Sequence, residues 1–346
     1  MGVSVDAVEN LLILGIDTSC DDTAAAIVKG GSRILSNVVS SQEAIHSKYG
    51  GIVPELASRR HMELIWPVVG EALKGARVRP GDLSAVAVTE GPGLIGSLLI
   101  GVCFAKALSY VYDLPLIAVN HLEGHINSVF LTDRPEFPFI ALMVSGGHTS
   151  IYRVDDFGQY RELGRTRDDA AGEAYDKVAK FLGFGYPGGP VIDRISAGGD
   201  PAAIAFPRAD LRGSLDFSFS GLKTAVLNYV RRFPDVNVRK EDVAASFQAA
   251  VIDVLVERVT EAALTEGIKR IVLSGGVSAN SALRKRITER AEDECFDLYL
   301  PPLNLCTDNG AMIAAAGFHL FRQGRFASAA LNPRACLPLG QHPAGL

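Results

Sequence analysis

Short apolar runs rich in β-branched residues alternate along the chain with longer stretches of helical hydrophobic spacing, and Gly and Pro separate them. Such runs between turn residues predict buried strands, while apolar positions three and four residues apart predict helices with one covered face. The alternation is typical of an α/β protein. The predicted strands are Leu11–Ile16, Ala24–Val28, Ile34–Val39, Ala85–Thr89, Leu116–Val119, Phe139–Val144, Ser150–Val154 and Arg270–Leu273. The predicted helices are Pro54–Leu73, Leu94–Tyr110, His121–Leu131, Gly172–Leu182, Gly221–Arg231, Glu241–Glu266, Ser278–Ala291 and Asp308–Phe321.

Three predicted strands end in similar small polar turns, in LGIDTSCDDTAAAIV, LMVSGGHTSIY and IVLSGGVSAN. The first two turns continue into another strand and the third into a helix, as two related lobes around a nucleotide would show, although three such turns also arise by chance. We predict a lead at residues 1–10, a first lobe at 11–135, a second lobe at 136–325 with an insertion at 197–219, and a tail at 326–346. The last dozen residues are expected to be loosely held.

Composition narrows the class of protein. The chain has 346 residues, 48% of them hydrophobic, which is enough for two cores, and a net charge of −5 that excludes a uniformly basic nucleic-acid footprint. Five cysteines without a C-x-x-C pair indicate reduced thiols. The longest apolar stretch, Leu94 to Ala105, is shorter than the roughly 18 residues a membrane span needs, and the N-terminus lacks a basic leader. We therefore expect a soluble cytoplasmic protein that does not bind a membrane.

Two histidines indicate a metal site. His121 and His125 are four residues apart in NHLEGH, so on a helix both imidazoles project from one face, with Asn120 placed to cap the helix start. Glu123 lies on the opposite side, unlike the base of an H-E-x-x-H peptidase. An oxygen ligand would suit iron, manganese or zinc, and Asp308 is one candidate among many carboxylates. The alternative is that the two histidines share a helix face by chance, as surface or packing residues.

Glycine-containing turns indicate a phosphate site. The turns that begin at Ser145 and Ser274 follow apolar strands, and their backbone N–H groups can cradle an anion, although ordinary tight turns have the same composition. The G-x-G-x-x-G at 91–96 is weighed as a dinucleotide fingerprint, but the next strand does not end in an acidic residue. Tight helix–strand packing is the favoured interpretation.

Carboxylates supply further candidates. Asp17, Asp21 and Asp22 crowd the first turn, where they could order a metal-bound water or a substrate amine, or act only as turn formers. Asp176 lies on a predicted helix ahead of YPGGP and could accept a hydrogen bond from a ligand hydroxyl, with Gly189 allowing close approach. A helix surface followed by a C-terminal turn is the ordinary alternative.

Nine segments together resemble one family, the bacterial TsaD proteins, formerly described as O-sialoglycoprotein endopeptidases. They are GIDTSCDDT, GGIVPELASRRH, GPGLIGSLLIG, NHLEGH, VSGGHT, DDAAGEAYDKVAK, YPGGP, SGGVSAN and CTDNGAMIA, in the family's order over about residues 11 to 320. The resemblance implies the two-lobed α/β fold of actin, Hsp70 and sugar kinases, with duplicated ribonuclease-H-like lobes.

The resemblance also assigns residues. It implies one divalent ion, Fe²⁺ or as second choice Zn²⁺, on His121, His125 and Asp308. Archaeal and eukaryotic relatives have a metal-binding Tyr where this chain has Met143, which leaves a fourth coordination position to water or substrate. The implied substrate-binding positions are Met143, Val144, Ser145, Gly146, Gly147, Asp176, Gly189, Asp193 and Asn280.

The implied reaction transfers threonylcarbamoyl from threonylcarbamoyl-AMP to N6 of adenosine 37 in tRNAs that read codons beginning with A, with TsaB and TsaE as partner proteins. Asp17 is our candidate proton acceptor. Three alternatives are an ATPase or small-molecule kinase of the same fold, a zinc peptidase, and a nucleotide-binding scaffold without turnover. The kinase has no need of two histidines on a helix, and the peptidase lacks a base beside the metal.

Overall fold

The computed structural model describes residues 8–232 and 239–340. Its strands are β1 (Leu12–Asp17), β2 (Asp22–Lys29), β3 (Arg33–Ser41), β4 (Ala85–Gly91), β5 (Leu116–Asn120), β6 (Phe139–Val144), β7 (Thr149–Asp156), β8 (Gln159–Arg165), β9 (Arg270–Ser274) and β10 (Asp297–Tyr299). Its α-helices are α1 (Glu43–His46), α2 (Pro54–Ala76), α3 (Ile95–Tyr112), α4 (His121–Asn127), α5 (Ala171–Leu182), α6 (Gly188–Ser196), α7 (Ser220–Arg232), α8 (Lys240–Glu266), α9 (Ser281–Asp293) and α10 (Gly310–Arg322).

The strands form two five-stranded mixed sheets with the same topology. The first has the order β3-β2-β1-β4-β5 and the second, read in the same direction, β8-β7-β6-β9-β10. In each, three antiparallel strands follow one another in a meander, and two further strands run parallel to the first strand of that meander. The repeated turns therefore lie at equivalent places, and the predicted duplicated α/β fold is confirmed.

Both faces of each sheet are covered, so inner strands such as β1 and β6 are almost continuously apolar. Helices α2 and α3 pack on one face of the first sheet, and α5 to α9 pack on one face of the second. The remaining two faces are covered by helices that come from the other half of the chain: α4 packs on the second sheet and α10 on the first. These two inner helices contact each other.

A glycine allows that contact between the inner helices. A Cβ at Gly124 of α4 would lie 2.8 Å from Cδ1 of Ile313 of α10, so a larger residue would have to displace that side chain. The predicted boundary between lobes at residues 135 and 136 stays a prediction, and the packing of α10 shows that the last helix of the second half completes the first core.

Some elements differ from prediction. β8 is an edge strand with several charged residues, which protect an exposed edge and hide the apolar pattern of a strand. YPGGP begins α6 rather than a loop, because Pro190 falls in the first helical turn, where its missing N–H has no intrahelical partner. The predicted helix over 121–131 is α-helical only to Asn127 and continues as a 3₁₀ turn.

The expectation of a loosely held tail is wrong for residues 335–340. Gly93 N donates to Ala335 O at 3.1 Å, and the side chain of Asn120 donates to Leu337 O at 3.0 Å in a buried contact. Leu337 is itself buried. Residues 1–7 and 341–346, the outer parts of the predicted lead and tail, lie outside the described residues.

Helix α3 is longer and more apolar than the stretch expected from the sequence. Its 18 residues have a mean hydropathy of 1.6, which by length and composition alone would suit a membrane span. In the structure it packs on β4 and α2 as a layer of the first lobe, and much of its outer surface is exposed, including Tyr110 and Val111.

Candidate metal centre and substrate cleft

The two histidines of NHLEGH lie on the short inner helix α4. Asn120 ends β5 and caps α4, because its Oδ1 accepts hydrogen bonds from Leu122 N at 2.9 Å and Glu123 N at 3.4 Å. The rings of His121 and His125 are 4.7 Å apart, and both side chains are buried. The helix start and the facing imidazoles agree with the sequence pattern.

Asp308 reaches the same place from the other inner helix. It precedes Asn309, whose side chain caps α10 by accepting from Met312 N at 3.0 Å. Asp308 Oδ1 lies 3.1 Å from His125 Nε2 and 3.6 Å from His121 Nε2. One ligand atom from each of the three side chains lies within 4.8 Å of the others. The structure therefore brings together the three residues that the resemblance names as metal ligands.

The chemistry of these donors fits a divalent cation. Two imidazole nitrogens and one carboxylate oxygen are ligands of Fe²⁺ and Zn²⁺. Both Nε2 atoms face Asp308, while His121 Nδ1 lies 3.5 Å from Asp17 Oδ2. A metal-binding imidazole commonly has its second nitrogen beside a carboxylate, which orients the ring. His125 Nδ1 is buried and has no hydrogen-bond partner among the described residues.

The electrostatics favour positive charge at this centre. Burial alone would lower the pKa of His121, but the carboxylates of Asp308 and Asp17 raise it to about 9. The imidazoles of His121 and His125 lower the pKa of Asp308 below its usual range, against the effect of burial. Burial, with the nearby His121 and His125, lowers the pKa of His148 to about 4, so its imidazole is neutral at pH 7.

Asp17 does not lie where a proton acceptor is expected. It is fully buried, and Oδ1 accepts hydrogen bonds from Thr89 Oγ1 at 2.7 Å and Ser19 N at 3.2 Å. Ser19 Oγ donates to Oδ2 at 3.2 Å, on the side that faces His121. These contacts suit a carboxylate that orients His121 better than one that meets a substrate amine.

The other two carboxylates of the first turn, Asp21 and Asp22, are only partly buried. Burial, and then the charge of Asp308, raise the pKa of Asp22 to about 7, and the same two causes raise the pKa of Asp21. Glu123 points elsewhere, since its Oε1 accepts a hydrogen bond from Tyr160 of β8 at 3.0 Å. No peptidase-like base therefore comes from the residue between the two histidines.

The predicted phosphate turn of the second lobe is open. Met143 and Val144 are fully buried in the cores on either side of β6, so only their backbone could meet a substrate. The turn closes through Ser145 N, which donates to His148 O at 2.8 Å. Nothing lies within 4 Å of the position a Cβ would take at Gly146 or Gly147. Their backbone is free to approach a ligand.

Asp176 and Gly189 lie at a neighbouring part of the second lobe. Asp176 Oδ1 accepts a hydrogen bond from Gly188 N at 2.7 Å, which joins α5 to the start of α6. The Asp176 side chain also lines a cavity of about 380 Å³ between this lobe and residues 50–52 of the first. Gly189 has open space around its Cα.

Asp193 and Asn280 form a second group in the same lobe. Asp193 accepts hydrogen bonds from Ser281 N and Ser281 Oγ, both at 2.9 Å, and from Gln248 Nε2 at 3.3 Å. Asn280 caps α9 and donates to Gln248 Oε1 at 2.7 Å. Asp193 and Gln248 line a cavity of about 190 Å³. Asp193 thus borders a cavity different from that of Asp176, and Asn280 is linked to it through Gln248.

The G-x-G-x-x-G segment serves packing, as the sequence interpretation favoured. The space beside each glycine is filled by protein: Arg334 O lies 2.0 Å from a Cβ at Gly91, Ser19 O 2.4 Å from one at Gly93, and Ser58 Oγ 2.5 Å from one at Gly96. Each glycine is thus required by a close contact within the protein.

Sequence reasoning missed the residues that support the ligands. Thr89 and Ser19 bind Asp17, and His148 lies close enough to the histidine pair to be influenced by its charge. No local pattern identifies them, because each is a common turn or strand-end residue. Only the adjacency of β1, β4, α4 and the turn after β6 brings them together.

Comparison with known proteins agrees with this geometry. A model of the TsaD family, described as tRNA N6-adenosine threonylcarbamoyltransferase, matches residues 33–315. A protein of that name from Thermodesulfovibrio yellowstonii is 57% identical over 335 residues, covering 95% of this chain and all of its own. One of the same name from Symbiobacterium thermophilum is 56% identical, covering 90% of this chain and 92% of its own.

Among solved structures, full-length HypF superposes with a TM-score of 0.61 at 15% identity, over 92% of this chain and 56% of HypF. That likeness shows the two-lobed fold. The extent and identity of the sequence matches show the activity, which is the transfer of a threonylcarbamoyl group to N6 of adenosine in tRNA. The chain belongs to the TsaD family of tRNA N6-adenosine threonylcarbamoyltransferases.

Proposed function

We propose that the donor is threonylcarbamoyl-AMP and that the acceptor is adenosine 37 of tRNAs that read codons beginning with A. The single observation that carries the proposal is the convergence of His121, His125 and Asp308 at the starts of the two inner helices. The open turn of the second lobe complements this centre, because its backbone could bind an adenylate on the side of the site opposite Asp17.

His121, His125 and Asp308 would hold one Fe²⁺ or Zn²⁺ ion. When bound, such an ion supplies Lewis-acid polarisation of a phosphate or carbamoyl oxygen. The protein residues fix its place: the helix start sets the two imidazoles, and Asp308 contributes the anionic ligand.

The second lobe would position the donor. The backbone N–H groups of Gly146 and Gly147 can face phosphate oxygens, while Met143, Val144 and Ser145 hold the turn in place. The hydrogen-bonding groups of Asp176, Gly189, Asp193 and Asn280 lie on α5, α6 and α9, where they would bind the rest of the nucleotide. Positioning of a weak amine nucleophile against the acyl carbon can remove about 7 to 11 kcal/mol of barrier.

In the transfer, the bond from N6 of adenosine to the carbamoyl carbon forms as the bond from that carbon to the phosphate oxygen breaks, and AMP leaves. The proton that N6 loses passes to a phosphate oxygen of the departing AMP or to water. Asp17 is the acceptor that the sequence suggests, but its buried contacts support a role in orienting His121 instead. We assign Asp17 that positioning role.

TsaB and TsaE are the proposed partner proteins, and the cytoplasm the proposed location. An exposed apolar face on the first lobe supports a partner chain: Trp66 of α2 is 71% exposed and Tyr110 of α3 is 89% exposed, with Met62, Leu99 and Val111 on the same two helices. Apolar surface of this kind marks interaction sites. Trp66→Glu is expected to weaken the association with TsaB.

The direct test is a transfer assay with synthetic threonylcarbamoyl-AMP, unmodified tRNA, TsaB and TsaE, with and without chelator. We expect modified adenosine and released AMP in equal amounts, lost on chelation and restored by Fe²⁺ or Zn²⁺. An inert mixture with every component present would contradict the proposed donor. Activity that persists in a fully metal-free sample would contradict the metal.

A further inference from the structure

The last described residues of the chain, 334–340, form a strap that contacts both lobes. Arg334 N donates to Glu90 O at 2.8 Å, and Gly93 N donates to Ala335 O at 3.1 Å, where β4 ends in the first lobe. At its other end, Gly340 lies against β8 of the second lobe, since a Cβ there would be 3.4 Å from Tyr160 O. The strap therefore crosses the same strand ends from which α4 begins.

The first end of the strap has a specific anchor. The Arg334 guanidinium lies 3.1 Å from the Glu90 carboxylate, whose side chain is only 4% exposed. A Cβ at Gly91 would be 2.0 Å from Arg334 O, so only glycine at this position lets the strap approach β4 so closely. An ion pair between the half-exposed Arg334 and the buried Glu90, and a close backbone contact at Gly91, thus fix this part of the strap.

The strap reaches the metal centre through one side chain. Asn120, which is 3% exposed, donates from Nδ2 to Leu337 O at 3.0 Å, while its Oδ1 caps the first turn of α4. The amide group is planar, so a hydrogen bond that fixes Nδ2 also fixes Oδ1. His121 is the next residue along the chain and His125 lies one helical turn later.

We propose that the strap positions His121 and His125 for the metal by holding Asn120. This rests on the proposed metal site. The first turn of α4 is aligned by a cap that is itself fixed from outside the helix. When the strap is loosened, the two imidazoles shift together relative to Asp308. Metal sites need their ligands held within about 0.5 Å, and loss of an outer partner weakens binding about 10- to 100-fold.

The test is Asn120→Ser in the full-length protein, since serine retains an oxygen cap and removes the donor to Leu337 O. Co²⁺ affinity is measured by competition with a chelator, the Co²⁺ absorption spectrum reports ligand geometry, and melting is measured on the metal-free protein. We expect affinity about tenfold weaker and an altered spectrum. The melting temperature should stay within about 2 °C of the unchanged protein.

Two further variants make the result specific. Glu90→Gln with Arg334→Met removes the ion pair of the anchor without leaving one buried charge unpaired, and should weaken Co²⁺ binding in the same direction by a smaller factor. Asn332→Ala, just before the strap, removes an amide that donates to Ala330 O within its own turn, and should change neither affinity nor spectrum.

The proposal is overturned if Asn120→Ser binds Co²⁺ with unchanged affinity and spectrum. It is also overturned if that variant melts far below the unchanged protein while the double variant retains normal affinity and spectrum, because Asn120 would then be purely structural. If the unchanged protein itself binds no metal, the proposed metal site fails and the strap proposal with it; a failure confined to the variants leaves the metal site standing.

Discussion

The first turns of the two lobes occupy the same place in the same strand order and have opposite environments. In the first lobe, the end of β1 is closed: Thr89 and Ser19 hydrogen-bond to Asp17, which faces His121. In the second lobe, the turn after β6 has open space beside Gly146 and Gly147. The duplicated backbone thus supplies two equivalent positions, and side-chain size and charge make one a support for His121 and leave the other open.

The largest expected effect removes the anionic ligand on the closed side. Asp308→Asn should lower bound metal to near zero and transfer by at least about 100-fold, because a neutral amide is a poor replacement for a carboxylate beside two imidazoles. Metal analysis and single-turnover transfer measure this. The matched control is Asp113→Asn at a position with φ of 52°, which Asn tolerates well. Normal metal content in Asp308→Asn would contradict the assigned ligand set.

A smaller effect distinguishes two roles for Asp17. Asp17→Asn should weaken metal binding about 10- to 100-fold because the carboxylate no longer orients His121. Transfer by this variant should recover when metal is saturating. If kcat stays low at saturating metal while affinity is normal, Asp17 is the proton acceptor after all, and the closed turn is catalytic rather than supporting.

The open turn is probed by adding a methyl group. Gly146→Ala should fold normally, because no atom lies within 4 Å of the new Cβ. The methyl group would occupy the space in which a phosphate approaches the backbone, so KM for threonylcarbamoyl-AMP should rise about tenfold, equivalent to about 1.4 kcal/mol of binding. Gly70→Ala, also in open space but on α2, is the control. An unchanged KM in Gly146→Ala would place the donor elsewhere.

The last prediction concerns a contact between the lobes, and it affects the pH dependence of stability rather than transfer. His319 of α10 stacks on Phe157 in the β7–β8 turn, and burial lowers its pKa from 6.5 to about 3. At pH values between about 3 and 6.5, His319 binds a proton in the unfolded chain but not in the folded protein. The free energy of unfolding therefore decreases as the pH falls below about 6.5. His319→Phe should reduce the decrease in the free energy of unfolding between pH 7 and pH 5 by about 2 kcal/mol. Equal pH dependence of chemical denaturation in both proteins would contradict this.

Local patterns predicted what depends on near neighbours in the chain. The alternation of strands and helices, the cap at Asn120 and the shared face of His121 and His125 all follow from spacing, and the structure has them. The pattern failed at β8, whose charged edge carries little apolar signal, and at the tail, whose order comes from contacts with β4 and β5.

The sequence by itself determined the fold class, the repeated turns and the imidazole pair, because hydrophobic period, glycine and helical spacing act over a few residues. Only the tertiary structure decided which carboxylate joins that pair, since His125 and Asp308 are 183 positions apart and meet only because each inner helix packs on the sheet of the other half. The same packing of each inner helix on the sheet of the other half buries Asp17 next to His121. Side-chain type indicates which residues could bind a metal, but the packing of distant segments determines which of them lie close together.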